Sequence, residues 1–206
     1  MTERKPTVFV VDDEAAVRKA LSRLLRSAEI EAVVFASAAD FLAAHDSDVV
    51  GCLLLDVAMP DLSGPELQQT LTARGSTLPI IFLSGRADVP ISVQAMKAGA
   101  TDFLTKPVQD EVLLTAVRAA LEKDRADRIA RAELADIAAR LATLTRRERE
   151  VLEHVVSGQL NKQIAGDLGT VEQTIKVHRA RVMEKMKVQS LAELVRLVER
   201  ARASEQ

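Results

Sequence analysis

The sequence predicts two domains of different fold class, an α/β domain over residues 5–121 and an all-α domain of four helices over 143–203. In the first domain, short apolar runs alternate with stretches of helical spacing, which indicates a five-stranded parallel sheet wrapped by helices, a (βα)5 fold. Residues 122–142 contain neither Gly nor Pro and predict a helical linker. The chain of 206 residues is long enough for two cores, because domains most often run ~100–150 residues.

Five apolar runs are the candidate strands of the first domain. Thr7–Val11 is rich in β-branched residues and is followed at once by acidic residues. Cys52–Leu55 is continuously apolar, as expected for a strand covered on both faces. Ser37 followed by Asp40 is typical of a helix N-cap with an acid in the first turn. The other candidate strands are Ile30–Phe35, Leu78–Leu83 and Asp102–Leu104, and the later helices are expected at about 64–74, 89–98 and from 110 onward.

Acidic residues lie at the ends of two of these strands. Asp12 and Asp13 follow the first strand, and Asp56 ends the third. In an open parallel sheet of strand order 2-1-3-4-5, ligands bind beyond the carboxyl ends of the strands, between strands one and three. Three carboxylates in one crevice repel one another unless a cation lies among them, and oxygen ligands with open positions suit Mg²⁺. The pattern therefore predicts a magnesium-binding crevice.

Two neighbouring strand ends give this crevice a chemistry. Ser84 ends the fourth strand and Lys106 ends the fifth. A carboxylate can act as a nucleophile and form an aspartyl phosphate, whose oxygens need a metal, a fixed cation and hydrogen-bond donors. We predict Asp56 as that nucleophile, stabilised by Lys106 and the Ser84 hydroxyl. Taken singly, each residue also fits a helix cap, a turn or a loop, but four strand ends with the required residue types favour the site.

These segments resemble the signature of two-component receiver domains, over roughly residues 5–121. The matching residues are Val10-Val11-Asp12-Asp13-Glu14, Leu55-Asp56-Val57-Ala58-Met59-Pro60, Ser84-Gly85 and Asp102-Phe103-Leu104-Thr105-Lys106-Pro107. The resemblance implies phosphorylation of Asp56 from the phosphohistidine of a histidine kinase. It also implies a switch in which Ser84 moves to the phosphoryl group and Phe103 rotates inward. The implied Mg²⁺ ligands are Asp13, Asp56, the Ala58 backbone carbonyl and, through water, Asp12.

The stretch from Asp110 to about Leu144 predicts one long helix that continues out of the first domain. A stripe of Leu114, Val117 and Leu121 would face the sheet. A second stripe, out of phase with the first, steps by four and three residues as in a coiled-coil seam. Our hypothesis for 122–142 is a dimerising stalk, and the alternative is a solvated helix in two pieces. The residues of the second stripe are Ala130, Leu134, Ile137, Leu141 and Leu144.

Capping residues and a glycine turn organise the second domain. Thr145-Arg146-Arg147-Glu148 is a capping box that opens its first helix. Asn161 is expected to cap the second helix, and Gly169 to make the tight turn that follows it. A third helix is expected over about 171–186, capped by Thr170. This arrangement predicts a helix-turn-helix whose third helix reads DNA.

Charge is distributed unevenly along the chain, whose formal net charge is −2. Residues 1–121 carry 11 Lys and Arg against 16 Asp and Glu, whereas residues 143–206 carry 12 against 9. An acidic front and a basic end indicate different partners for the two domains. The chain has no Trp and no Tyr, which argues against recognition of single-stranded nucleic acid by base stacking.

The basic end resembles the LuxR-type DNA-binding domain over about residues 140–203. The matching residues are Leu144-Thr145, Arg147-Glu148, Glu150-Val151-Leu152, Asn161-Lys162, Ile164-Ala165 and Thr174-Ile175-Lys176-Val177-His178-Arg179. The resemblance implies base contacts from Lys176 and Val177, and a dimer element at about 190–200. The residues implied as backbone contacts or their neighbours are Lys162, Thr174, His178, Arg179 and Arg181.

Together the two halves resemble response regulators of the FixJ/NarL type, with Asp88-Val89-Pro90 and Ala95-Met96-Lys97-Ala98-Gly99-Ala100 favouring FixJ. This implies a cognate sensor histidine kinase and promoter DNA as partners, and a homodimer formed on phosphorylation or through the linker. RNA polymerase would be a further partner. The implied chemistry is phosphotransfer and autodephosphorylation at Asp56 alone, so the chain is not expected to be an enzyme.

Two other readings stay open. A constitutive DNA-binding regulator would use the first domain only to dimerise. A Mg²⁺-dependent aspartyl phosphohydrolase would place a second Asp two residues after the nucleophile, where this chain has Ala58. No apolar stretch approaches the ~20 residues of a membrane helix, Met1 to Pro6 lacks a signal-peptide core, and the single cysteine, Cys52, excludes an internal disulfide. We therefore expect a cytoplasmic protein.

Overall fold

The computed structural model describes residues 5–45, 49–85 and 89–203. The chain forms two compact units, Met1–Arg128 and Ile129–Gln206. The first unit is α/β and the second is helical, so the predicted fold class is confirmed. None of the helices in the described ranges is long and apolar enough to cross a membrane.

The N-terminal unit is built on a five-stranded parallel sheet of order β2-β1-β3-β4-β5, as predicted. β3 is buried at every residue, which agrees with its continuously apolar sequence. In the register of β1 and β3, Val11 pairs with Leu55, so the residues that follow emerge at one level of the sheet edge. The strands are β1 (Thr7–Val11), β2 (Glu31–Phe35), β3 (Gly51–Asp56), β4 (Ile80–Ser84) and β5 (Asp102–Thr105).

Helices cover both faces of this sheet. One core packs Phe41 and Leu67 against Phe82, and the other packs Leu113 and Val117 against the opposite face. The helices are α1 (Ala15–Ser27), α2 (Ala38–Ala44), α3 (Gly64–Ala73), α4 (Val89–Lys97) and α5 (Asp110–Ala142). The predicted cap of α2 is confirmed, because the Ser37 hydroxyl accepts a hydrogen bond from the Asp40 N–H at 3.1 Å. Asp88, part of the segment that favours FixJ, lies outside the described residues.

α5 is continuous over 33 residues, which confirms the single long helix. Ile137 and Leu144 are 3% and 4% exposed because they are buried in the core of the C-terminal unit. Leu141 packs against the same core. These three residues face their own unit, so their assignment to a seam between two chains is wrong. A dimerising contact through Ala130 and Leu134 stays a prediction.

Four further helices complete the C-terminal unit: α6 (Arg146–Val156), α7 (Asn161–Asp167), α8 (Glu172–Lys185) and α9 (Leu191–Ala203). Their shared core includes Val151, Ile164, Ile175, Val182 and Leu194. Gly169, with φ of +61°, makes the predicted turn between α7 and α8. A positive φ is readily adopted by glycine because it has no Cβ.

Two capping predictions for this unit are wrong by one residue. α7 begins at Asn161 with Leu160 at its N-cap, and α8 has Val171 at its N-cap. Thr170 instead belongs to the preceding turn, where its N–H donates to the Ala165 carbonyl at 2.9 Å. The capping box at the start of α6 is confirmed in both of its hydrogen bonds.

Candidate functional site

The carboxyl ends of β1 and β3 bring two buried carboxylates together. Asp12 is 0% exposed and Asp56 is 6% exposed. Asp12 Oδ1 accepts a hydrogen bond from the Glu14 N–H at 2.9 Å, so this residue also organises the turn into α1. Two buried like charges at one sheet edge repel each other unless a cation compensates them.

Lys106 supplies that cation from the end of β5. Its Nζ donates to Asp12 Oδ2 at 2.7 Å and to Asp56 Oδ1 at 2.5 Å. Burial lowers the pKa of the Lys106 ammonium, but hydrogen bonding and attraction to the two carboxylates outweigh burial, so the pKa lies above its ordinary value. The ammonium is therefore held charged beside Asp56.

The remaining contacts of Asp56 fix its orientation. The Ala58 N–H donates to Asp56 Oδ2 at 2.7 Å. Gly64, at the start of α3, lies directly against the Asp56 backbone, and a Cβ placed there would come within 2.3 Å of the Asp56 carbonyl oxygen. Gly64 is a positioning residue that the sequence analysis missed. The available signal was the glycine itself, in the first turn of a predicted helix, because glycine is a default residue where two backbone segments approach closely.

A pocket of about 520 Å³ opens over the Asp56 carboxylate. Ser84, buried at the end of β4, lines it together with Lys106 and Ala58. Asp13 is exposed and is not among the lining residues. Phe103 is half-buried on β5, with its ring centroid 6.1 Å from that of Phe82.

Oxygen donors are the chemistry that Mg²⁺ prefers, so the residue types at this edge fit the ion. The structure brings Asp12 and Asp56 together at the Lys106 ammonium, and the Mg²⁺ site itself stays a prediction. The described residues contain no group of three His, Cys, Asp or Glu side chains gathered around one point. The Lys106 ammonium contacts both Asp12 and Asp56 and compensates their charge, and Asp13 is exposed.

The residues predicted to contact DNA divide into two groups on the surface of the C-terminal unit. Lys176, Val177 and Arg181 are exposed on α8, and Lys162 is exposed on α7. Lys176 forms an i,i+4 ion pair with Glu172 at 3.3 Å, and both side chains are about half exposed. The half-buried residues are Thr174, His178 and Arg179.

Arg179 has a structural contact as well. Its Nη1 donates to Asn161 Oδ1 at 2.9 Å, which ties α8 to the first residue of α7. The Asn161 side chain is thereby used across the helix pair instead of as an N-cap. His178 Nδ1 is buried and has no hydrogen-bond partner in the described part of the chain.

An ion pair between a buried glutamate and a partly exposed lysine holds the other end of α8. Glu148 is 2% exposed, and its Oε2 accepts hydrogen bonds from Lys185 Nζ at 2.6 Å and from the Thr145 N–H at 2.9 Å. The hydrogen bond from Lys185, followed by that from Thr145, lowers the pKa of Glu148 to about 2. Lys185 also donates to the Thr143 carbonyl at 3.1 Å. The capping role of Glu148 was predictable from the local sequence, whereas its partner Lys185, 37 positions away, was not.

Comparisons with known proteins assign both units. Residues 8–118 match the family described as response regulator receiver domain. Residues 142–198 match the family described as bacterial regulatory proteins, luxR family. The chain belongs to the response regulators that join a receiver domain to a LuxR-type DNA-binding domain. It is a transcriptional regulator of the two-component type.

Within that class, the chain is similar over nearly its whole length to named regulators. It is 45% identical to nodulation protein W of Bradyrhizobium diazoefficiens, over 95% of this chain and 86% of that protein. It is 45% identical to the transcriptional regulatory protein FixJ of Azorhizobium caulinodans, over 96% and 93%. Among solved structures, the response regulator StyR shares 47% identity with a TM-score of 0.88, over 95% of this chain and 99% of that chain.

Proposed function

We propose that phosphorylation of Asp56 by a sensor histidine kinase switches this regulator, and that the phosphorylated chain dimerises and binds promoter DNA. The observation that carries the proposal is the placement of Asp56. Its carboxylate is held by Lys106 and by the Ala58 N–H, and it lines a pocket shared with Ser84. The pocket leaves room for a phosphoryl group beside a fixed cation.

The proposed reaction transfers a phosphoryl group from a phosphohistidine to Asp56. The Asp56 carboxylate attacks phosphorus, the phosphorus–nitrogen bond of the donor breaks, and the released imidazole takes up a proton. Lys106 neutralises negative charge that develops on the phosphoryl oxygens, and the Ser84 hydroxyl donates to one of them. Mg²⁺ would be held by Asp13, Asp56, the Ala58 carbonyl and, through water, Asp12, and would neutralise further oxygen charge.

For the DNA-binding domain, we propose that α8 enters the major groove. The exposed side chains of Lys176 and Val177 would contact bases, and Lys162 and Arg181 would contact phosphates. Thr174, His178 and Arg179 would lie at the backbone, with one guanidinium nitrogen of Arg179 retained by Asn161. A dimer would place two such helices in half-sites about one helical turn apart.

The switch is proposed as a shift in population between unpaired and paired chains. Phosphate can favour the paired state only through contacts that differ between the two states. The resemblance to the receiver family points to Ser84 and Phe103 as the moving residues. RNA polymerase is a proposed later partner of the DNA-bound dimer.

The test is the mass and oligomeric state of the full chain with acetyl phosphate and Mg²⁺. We expect the unchanged chain to gain one phosphoryl group and to dimerise, and Asp56→Asn to do neither. Asp61→Asn is the matched control, because it changes an exposed acid on the same β3–α3 connection and should behave as the unchanged chain. Dimerisation that persists in Asp56→Asn would instead support the constitutive regulator.

A further inference from the structure

Asp124 is a buried carboxylate at the end of the sheet opposite to Asp56. It lies on α5 and is 0% exposed. Its Oδ2 accepts hydrogen bonds from the Gly51 N–H at 2.9 Å and from Arg128 Nε at 2.8 Å. Its Oδ1 is also buried and has no hydrogen-bond partner within the described ranges. Because an ionised carboxylate is costly to bury unless it is paired, the position of Asp124 depends on these two donors.

Arg128 holds the same stretch of backbone from its other side. Its Nη2 donates to the Val49 carbonyl at 2.9 Å, two residues before the Gly51 N–H that Asp124 accepts. The side chain of Arg128 is 24% exposed, so the ion pair is largely shielded from water. The backbone is tightly packed here, because a Cβ on Gly51 would lie 2.3 Å from the Thr7 carbonyl oxygen.

These contacts lie where α5 leaves the N-terminal unit, whose last residue is Arg128. Leu121 is half-buried and packs against the core of that unit. Among residues 122–128, all of which the structure describes, Asp124 alone is buried. This part of the helix is therefore attached to the sheet through Asp124 and Arg128 instead of through apolar packing.

We propose that Asp124, Arg128 and the backbone of 49–51 form a clasp that couples the phosphoacceptor strand to the linker helix. β3 carries the clasp at its first residue and Asp56 at its last. The strand is buried throughout and pairs with β1 and β4, so close packing passes a displacement at one end to the other. The coupling part rests on the proposed function, whereas the anchoring of the helix does not.

Hydrogen exchange of the full chain tests the anchoring. Arg128→Ala leaves the Asp124 carboxylate buried without its cation, so protection of the amides of 119–128 should fall roughly tenfold or more. Asp124→Asn removes the charge but keeps an acceptor for the Gly51 N–H, so amide protection should fall less in this variant than in Arg128→Ala. Unchanged protection in Arg128→Ala would overturn the clasp.

Two further variants keep this test decisive. Asp127→Asn is the matched control, because it alters an exposed i,i+4 ion pair with Lys123 on the same helix and should leave protection unchanged. Arg128→Lys retains the charge and should preserve more protection than Arg128→Ala. Should Arg128→Ala fail to fold, Asp124→Asn takes its place, and equal protection in Asp124→Asn and Asp127→Asn would count against the proposal.

Acetyl phosphate with Mg²⁺ tests the coupling. Arg128→Ala should take up phosphate at Asp56 to the same extent as the unchanged chain, because the clasp lies at the far end of β3. The DNA probe is a duplex enriched from a randomised pool by the unchanged phosphorylated chain. Phosphorylation should increase the affinity of Arg128→Ala for this duplex roughly tenfold less, or weaker still, than it does for the unchanged chain. A full gain in Arg128→Ala would overturn the coupling. An unchanged chain that gains no mass at Asp56 would overturn the proposed function and leave the exchange result standing.

Discussion

Each domain of this regulator contains a buried carboxylate bonded to a lysine, and the two lysines are arranged differently. In the receiver domain, Lys106 lies between Asp12 and Asp56. In the DNA-binding domain, Lys185 contacts one carboxylate, that of Glu148, and Glu148 also accepts the Thr145 N–H. The first cluster holds two carboxylates for one ammonium, whereas the second is balanced.

The two clusters also differ in their access to a reactant. Asp56 lines a pocket of about 520 Å³, so its carboxylate can meet a reactant. Glu148 is 2% exposed and joins the first turn of α6 to the last residue of α8. An excess of negative charge beside an open pocket suits a site that takes up a cation, which would then neutralise phosphoryl oxygens, while a balanced pair holds two helices together. On the proposed function, the same pair of functional groups serves reaction in one domain and holds two helices together in the other.

Removing Lys106 should give the largest effect. Lys106→Ala removes the ammonium that is proposed to neutralise the phosphoryl oxygens, and it leaves Asp12 and Asp56 without the cation between them. We expect the rate of phosphate uptake from acetyl phosphate to fall by about 100-fold or more, as when one stabilising donor is removed from a reaction site. Mass spectrometry of the full chain measures the rate, and circular dichroism checks that the chain remains folded.

Lys97→Ala is the matched control, because Lys97 is an exposed lysine at the end of α4 in the same domain. It should leave the rate unchanged. A folded Lys106→Ala chain that reacts as fast as the control would show that the shared lysine is not needed for the reaction, and the contrast between the two clusters would lose its functional meaning.

Local patterns predicted most of the receiver domain. The bounds of β1 agree with the sequence to the residue, because β-branched residues end abruptly at an acidic pair. Strand order then placed Asp12 and Asp56 at one edge of the sheet. The contact of Lys106 with both acids could not be predicted in its geometry, because it joins residues 50 and 94 positions apart.

Side chains with distant partners account for the rest of what the sequence did not predict. Asp124 interrupts an apolar stripe, and its role depends on the Gly51 N–H, 73 positions away. Asn161 is a residue type that is favoured at helix N-caps, but its side chain accepts a hydrogen bond from Arg179 across the helix pair. In each case the local sequence predicts one role for the side chain, and a partner that is distant in sequence gives it another. Only the folded structure shows which of these two roles the side chain has.

The second prediction concerns the balanced cluster, and its effect should be smaller. Glu148→Gln removes the charge that pairs with Lys185, so we expect the DNA-binding domain to lose about 2 kcal/mol of stability at neutral pH. The pKa of Glu148 is lowered from 4.5 to about 2, chiefly by the hydrogen bond from Lys185. Its contribution is therefore present above pH 4.5 and is lost as the pH falls from 4.5 to about 2.

Hydrogen exchange of amides in α6 and α8 measures this loss, because the chain has no Trp or Tyr to report unfolding by fluorescence. The difference between the unchanged chain and Glu148→Gln should shrink as the pH falls through that window. Glu150→Gln is the control, since Glu150 pairs with Arg146 and Arg147 at a partly exposed site and should cost little. Equal losses of protection in the two variants would mean that burial of Glu148 adds nothing to the stability that its ion pair provides.

The smallest effect should come from a cation that belongs to neither cluster. Arg181 is exposed on α8, and no ion pair found among the described residues involves it. A cation left without a carboxylate can displace counterions from DNA, so it should contribute to the salt dependence of binding. Each phosphate contact adds about 0.9 to the slope of log affinity against log salt concentration. For a bound dimer, Arg181→Ala should therefore reduce that slope by about 2.

The control for Arg181 is Arg196→Ala on α9, whose Nε donates to the Ala192 carbonyl of its own helix. It should leave the slope unchanged. Fluorescence anisotropy with a labelled duplex, titrated at several salt concentrations, measures both variants. An unchanged slope in Arg181→Ala would place this residue away from the DNA backbone. It would also show that an exposed cation on α8 need not contact DNA. Lys176, which is paired with Glu172, would then be the better candidate on this helix for a contact with DNA.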